Sequence, residues 1–212
     1  MTDYSAARAQ LIEVAAHLPA RDYCHLLSRF HWNGTLAFPE DAPPPRTDGV
    51  PLAIVGGPLP RCQAHVLDTI ERAGGRIVLN ATEAGERSLG FVGAPAFLTA
   101  SAEEREDADR EVGAPDLSQL VRQLARSCLD NCVDVFQRPN TRLYDWLRAR
   151  LVPRKVRGIV LWHFVGCDLW RAEAQPLREA FGLPLLALDA NDAAGDALRQ
   201  GGRIQAFLEA LR

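Results

Sequence analysis

The sequence predicts an α/β fold: two lobes with parallel sheets flanked by helices, preceded by a helical N-terminal segment. Three observations carry that prediction. The runs PLAIVGGP (51–58), GIVLWHF (158–164) and LPLLALD (183–189) have the nearly continuous hydrophobicity of strands buried on both faces of a parallel sheet. The first is followed by an amphipathic helix and then by a second strand, RIVLN (76–80), a βαβ spacing that makes the strands parallel. With 47% hydrophobic and 24% charged residues over 212 positions, the composition is that of a globular chain and excludes a disordered one.

The elements follow in order. Residues 5–18 carry Leu11, Ile12, Val14, Ala15 and Leu18, and residues 21–31 carry Tyr23, Leu26, Leu27 and Phe30. Both patterns place apolar residues three and four apart, as one buried helix face requires. Residues 33–49 contain Pro43, Pro44 and Pro45, which remove backbone donors and fix φ, so this stretch is a linker. Val66, Leu67 and Ile70 define a helix over roughly 60–73, stopped by Gly74-Gly75 and leading into the strand at 76–80 through a right-handed crossover. The segment 101–116 is acidic and polar on every face, a solvated helix or lobe boundary.

Residues 117–129 are again helical. Pro139-Asn140-Thr141 caps a helix reaching about residue 150, with Leu143, Trp146 and Leu147 inward. Pro176 near the middle of 169–181 predicts a kink or two short helices. An amphipathic helix at about 196–211, with Leu198, Ile204, Phe207, Leu208 and Leu211, closes the chain. The expected organisation is a helical segment and Pro-rich linker at 1–49, a first α/β lobe at 50–112 and a second at 113–212, both Rossmann/flavodoxin-like.

A formal charge of −3 and a pI of about 6.0 supply no global positive field, so nucleic acid and anionic membranes are not expected partners. The first 18 residues lack the basic start and uninterrupted apolar core of a signal peptide, and no run approaches the roughly 20 apolar residues that span a bilayer. The expectation is a soluble, cytoplasmic protein. Its five cysteines, Cys24, Cys62, Cys128, Cys132 and Cys167, are odd in number and widely spread, a poor disulfide framework.

Ligands of open α/β sheets gather at the carboxyl ends of the strands. Cys167 follows GIVLWHF by three residues and precedes a helix, whose first amides would stabilise a thiolate or an anionic cluster. Cys128 and Cys132 lie at or just beyond the end of the preceding helix, and a spacing of four on a helix puts both sulfurs on one face. Three converging thiolates suit soft metals, including iron in sulfide clusters. The same cysteines also read as ordinary buried thiols, and their spacing matches no compact ligand motif. His163 either completes a Cys3His zinc site or is a satisfied core histidine. Glu83 and Arg87, four apart, read as a surface ion pair or as substrate-facing side chains. No GxGxxG or P-loop is present, which argues against a nucleotide site in this chain.

The order of these blocks resembles a known family. Cys132, then Asn140 and Arg142, RGIVLWHF (157–164), Cys167-Asp168, GLPLLALDAND (182–192) and GGRIQAFLEAL (201–211) are similar to the C-terminal lobe of the 2-hydroxyacyl-CoA dehydratase / benzoyl-CoA reductase family. PLAIVGGPLP and RIVLNATEAGER, with Gly85 and Arg87, are similar to its first strand–helix–strand and the turn after it, so the likeness covers about residues 50–212. The resemblance implies an iron–sulfur subunit that passes low-potential electrons to an acyl-CoA thioester, yielding dehydration in one branch and ring reduction in the other. It implies a 4Fe–4S cluster ligated by Cys167 and by Cys132 or Cys128. It also implies Glu83, Arg87 and His163 toward substrate, a homologous larger subunit, and an ATP-dependent iron–sulfur activator protein. The family uses three cysteines, the first in an N-terminal lobe with no counterpart here. Either Cys128 and Cys132 both bind, or another residue or chain supplies the third ligand, or the chain is a cluster-less subunit that docks on a full-length homologue. Cys24 and Cys62 do not match the missing position and are read as structural.

Overall fold

The computed structural model describes residues 4–33, 44–90, 117–130, 132–190 and 196–212. In chain order these form α1 (Tyr4–Val14), α2 (Ala20–Asn33), β1 (Val50–Gly56), α3 (His65–Arg72), β2 (Gly75–Ala81), α4 (Leu117–Asp130), α5 (Thr141–Leu151), β3 (Gly158–Phe164), α6 (Asp168–Ala172), α7 (Ala174–Phe181), β4 (Leu185–Ala190) and α8 (Asp196–Leu211). Short 3-10 turns at Arg61–Gln63 and Glu86–Gly90 interrupt the connections after β1 and β2.

The strands form one four-stranded parallel sheet in the order β2-β1-β3-β4. Because side chains alternate along a strand, β1 sends Leu52 and Ile54 to one face and Ala53 and Val55 to the other. On the first face Val160, Trp162 and Leu188 meet Val66, Leu67 and Ile70 of α3 and Ile204, Leu208 and Leu211 of α8. On the second, Leu79, Ile159 and Leu161 meet Leu143, Leu147 and Leu151 of α5, Trp170 of α6 and Leu177 of α7. Most of these side chains are fully buried, each worth about 1.5–3 kcal/mol in transfer terms. α1 and α2 add a satellite core in which Leu11, Leu27 and Phe30 pack with Leu89.

The α/β class and the parallel strands are as the sequence predicts. The structure differs in one respect: the strands expected in two lobes lie in a single sheet. β1 pairs on one side with β2 and on the other with β3, so Leu52 stands opposite both Ile77 and Gly158. Gly158 lets α8 seat closely on β3, since a Cβ there would lie 2.8 Å from Leu211 and 2.9 Å from Phe207. The expected acidic boundary at 101–116 lies outside the described residues, as does most of the linker. The Pro176 expectation resolves into two short helices, α6 and α7, meeting at Glu173.

Both sheet edges are covered rather than left open, as exposed ladder groups require. At β4 the outward carbonyls of Leu185, Ala187 and Asp189 accept hydrogen bonds from Arg178 (3.0 Å), Arg203 (2.6 Å) and Gln200 (2.9 Å). At β2 the register shifts at Val78, whose carbonyl accepts from Arg154 at 2.8 Å. No helix among the described residues is long and apolar enough to cross a membrane.

Candidate functional site at the carboxyl edge of the sheet

The chain leaves β1 toward β2 on one side and returns to β3 on the other, so the sheet reverses its winding between β1 and β3. At such a switch point the following loops diverge and open a crevice at the carboxyl edge. Gly56 ends β1 with φ +148, and a Cβ on it would sit 1.8 Å from the Trp162 carbonyl oxygen, so no other residue fits there. The Gly57 amide donates to that carbonyl at 3.0 Å, and the Trp162 indole donates to the Pro58 carbonyl at 3.0 Å. These bonds fix the loop after β1 against β3.

Arg87 lies at the carboxyl ends of β1 and β2 and is 5% exposed. Its Nε donates to the Ala81 carbonyl at 2.8 Å, Nη2 to the Gly56 carbonyl at 2.6 Å, and Nη1 to the Val133 carbonyl and to Asp134 Oδ2, each at 2.6 Å. Its guanidinium carbon stands 4.8 Å from the Trp170 ring centroid, a cation–π contact. Burial works against the charge of this group, and the Asp134 carboxylate counters it. One side chain thus ties the ends of β1 and β2 to the loop bearing Cys132 and to α6, the helix that follows Cys167. The turn that places Arg87 depends on Gly85, where a Cβ would meet Asn80 at 2.4 Å.

A second buried group closes the same region from the far end of α6. Glu173, 4% exposed, accepts from Asn140 at 2.8 Å, from Arg138 at 3.3 Å, and from the Tyr144 hydroxyl in a short bond. Burial first, and then the Glu173 contact, push the Tyr144 phenol well above its ordinary value. Asn140, expected as a helix cap, makes no capping bond and instead holds Glu173. The loop from Cys132 to Asn140 is therefore clamped at one end by Arg87 and at the other by Glu173.

The sequence-predicted site residues fall as follows. Cys132 lies beyond the end of α4, partly buried; burial raises its thiol pKa, Asp134 adds to the rise, Arg87 opposes it and Glu83 adds again. Cys167, also partly buried, occupies the position before α6 and packs against the second core. Cys128 falls in α4, and its side chain lies outside the described residues. The expected surface pair of Glu83 with Arg87 is not formed among the described residues. Arg87 lies on a 3-10 turn and Glu83 outside it, so a spacing of four does not bring them side by side, and the partner of Arg87 is Asp134. Glu83 is exposed, and its amide approaches the Gly57 carbonyl at 3.4 Å.

His163 is 3% exposed; Nε2 stands 3.1 Å from Asp189 Oδ1 and Nδ1 3.2 Å from the Phe164 carbonyl, so both nitrogens are engaged within the chain. Cys24 is buried, as a structural cysteine should be, whereas Cys62 is exposed on the 3-10 turn after β1. Sequence reasoning missed Asp134, Trp170 and Glu173, whose partners are distant in the chain. The only local signal was a buried-type Trp beside charged residues.

Among the described residues no group of three or more His, Cys, Asp and Glu side chains is arranged to hold a metal ion. The described donors thus do not make up the ligand set of an iron–sulfur cluster, which takes four thiolates or their substitutes.

The four-stranded parallel sheet, flanked by helices and reversing its winding between β1 and β3, makes this a doubly wound α/β protein. The chain belongs to the 2-hydroxyglutaryl-CoA dehydratase, D-component family, whose model matches residues 9–211. The match begins ahead of residues 50–212, which carried the resemblance in the sequence, and so takes in α2 and most of α1. A search of curated proteins finds no match.

Proposed function

We propose that this chain is a subunit of a 2-hydroxyacyl-CoA dehydratase- or benzoyl-CoA reductase-like complex, contributing Cys132 and Cys167 to an iron–sulfur site shared with a homologous larger subunit. The observation that carries this reading is the clamp on Arg87, which joins the Cys132 loop to the helix that follows Cys167. Such a buried cation, held on four acceptors and an aromatic face, fixes two thiol-bearing segments where a doubly wound sheet takes its ligand. The remaining ligands come from Cys128 or from the larger subunit. A bound cluster would supply low-potential electrons to an acyl-CoA, received from an ATP-dependent iron–sulfur activator.

The chain's own residues have separable tasks in this reading. Arg87 and Glu173 position the two loops, His163 locks the end of β3 to β4, and Glu83 at the open rim faces the substrate. A second reading, a cluster-less subunit that docks on the larger homologue and shapes its pocket, is favoured by the missing third donor among the described residues.

Oxygen-free purification separates the two. The chain would be isolated alone and after co-expression with a homologous larger subunit, and its iron and acid-labile sulfide measured. The shared-site reading expects iron in the complex that is lost with Cys132→Ala or with Cys167→Ala. A stable complex whose iron is untouched by both variants leaves only the docking role.

A further inference from the structure

The β2 edge of the sheet carries a concavity. A cavity of about 310 Å³ lies beside the β2 edge. Ile12 and Leu18 from the N-terminal helical segment wall it on one side, and Ile77 and Val78 of β2 on the other. Its size is at the lower end of small-molecule pockets.

The charges around it do not balance. Three guanidinium groups, of Arg46, Arg76 and Arg154, line this space. Glu71 pairs with Arg46 through a short bond, and Glu86 takes Arg154 with both carboxylate oxygens, at 2.8 and 2.6 Å. Arg76 has no carboxylate partner among the described residues. Its Nη1 donates to the Arg46 carbonyl at 2.9 Å, while its Nε is buried and without a hydrogen-bond partner. The positive charge of Arg76 is thus unmatched among the described residues, and its Nη2 group is free to donate a charge-assisted hydrogen bond to an anion.

We propose that this cavity is a binding site for a small amphipathic anion, a medium-chain carboxylate, with its head group on Arg76 and its chain along Ile12, Leu18 and Ile77. One uncompensated positive charge suits one carboxylate. The apolar walls account for the rest of the volume, which an inorganic anion would leave unfilled. The site is separate from the carboxyl edge and does not depend on the iron–sulfur reading.

The test is calorimetric titration of the full chain with octanoate, with octan-1-ol as the uncharged analogue and inorganic phosphate as the bare anion. Saturable octanoate binding is expected, with both controls at least about tenfold weaker, the loss that removal of a charge-assisted bond or of the buried chain brings. Arg76→Gln should weaken octanoate by about tenfold or more while the melting temperature of the ligand-free protein holds. Should that variant fail to fold, Ala15→Phe, which fills the cavity from the opposite wall and leaves Arg76 intact, should abolish binding. Octanoate and octan-1-ol binding equally, phosphate binding as tightly as octanoate, or octanoate affinity unchanged by cavity filling would each overturn the proposal.

Discussion

Replacing Arg87 with methionine preserves most of the side chain's length while removing its charge and all its donors. The side chain is nearly inaccessible, so the three carbonyls and the Asp134 carboxylate that it satisfies are left behind. Breaking a buried ion pair by deleting one partner costs about 3–5 kcal/mol, and each orphaned buried acceptor about 1–3 kcal/mol. Asp134 retains 12% exposure and rehydrates in part, and water entering the vacated space reaches some of the carbonyls, so the expected loss is about 4 kcal/mol. For a chain of this length that is a fall in Tm of roughly 8–16 °C. Urea denaturation followed by tryptophan fluorescence reads it as a lower midpoint at unchanged slope. Adding Asp134→Asn to the methionine variant should recover part of the loss, because the stranded charge is gone. A loss below about 1 kcal/mol, or a double variant no more stable than the single one, would refute the clamp.

Four other outcomes follow from the same geometry. Gly56→Ala should cost about 3 kcal/mol or more and prevent soluble expression, since its methyl group would overlap the Trp162 carbonyl; Gly166→Ala, at φ +88 but with nothing within 4 Å, should cost only about 1 kcal/mol in a thermal melt. Combining Arg178→Ala with Arg203→Ala uncovers two outward carbonyls of β4 and should raise self-association in light scattering, with little change in the monomer's circular dichroism. Thiol labelling of the native protein should reach exposed Cys62 well before Cys24, which is buried and whose thiol pKa burial raises. Tyr23 and Tyr144 are both held protonated above the usual phenol range, chiefly by burial. The unfolded chain therefore releases those protons first, stability is full below about pH 10 and falls as pH rises beyond it, and tyrosinate absorbance from the pair should appear together with unfolding.

The four strands were legible because a strand buried on both faces has no polar alternation to hide it. GIVLWHF (158–164) coincides with β3, and LPLLALD (183–189) begins two residues before β4 and ends one residue short of it. The order of the strands was not legible, since pairing of β1 with β3 joins residues about a hundred positions apart and leaves no mark in local periodicity. The acidic stretch between them looks like a boundary by composition, although the sheet runs on past it. Cys167 before α6 was found from its place after a strand, a rule that sequence can apply. The clamp was missed because the i,i+4 rule holds only on an α-helix, and Glu86–Gly90 is a 3-10 turn. Nothing in the local pattern of 169–181 marks Glu173 as buried. Its burial follows from the break between α6 and α7, which turns it toward Asn140 and Tyr144.

The central claim is that the thiols of Cys132 and Cys167 belong to one site, and a dithiol-bridging arsenical measures this without any cluster present. In a chain with Cys24, Cys62 and Cys128 changed to serine, phenylarsine oxide should bind once and protect both remaining thiols from alkylation, and either Cys132→Ser or Cys167→Ser should abolish that protection. Two thiols that stay independently alkylatable after the reagent is added would contradict the account.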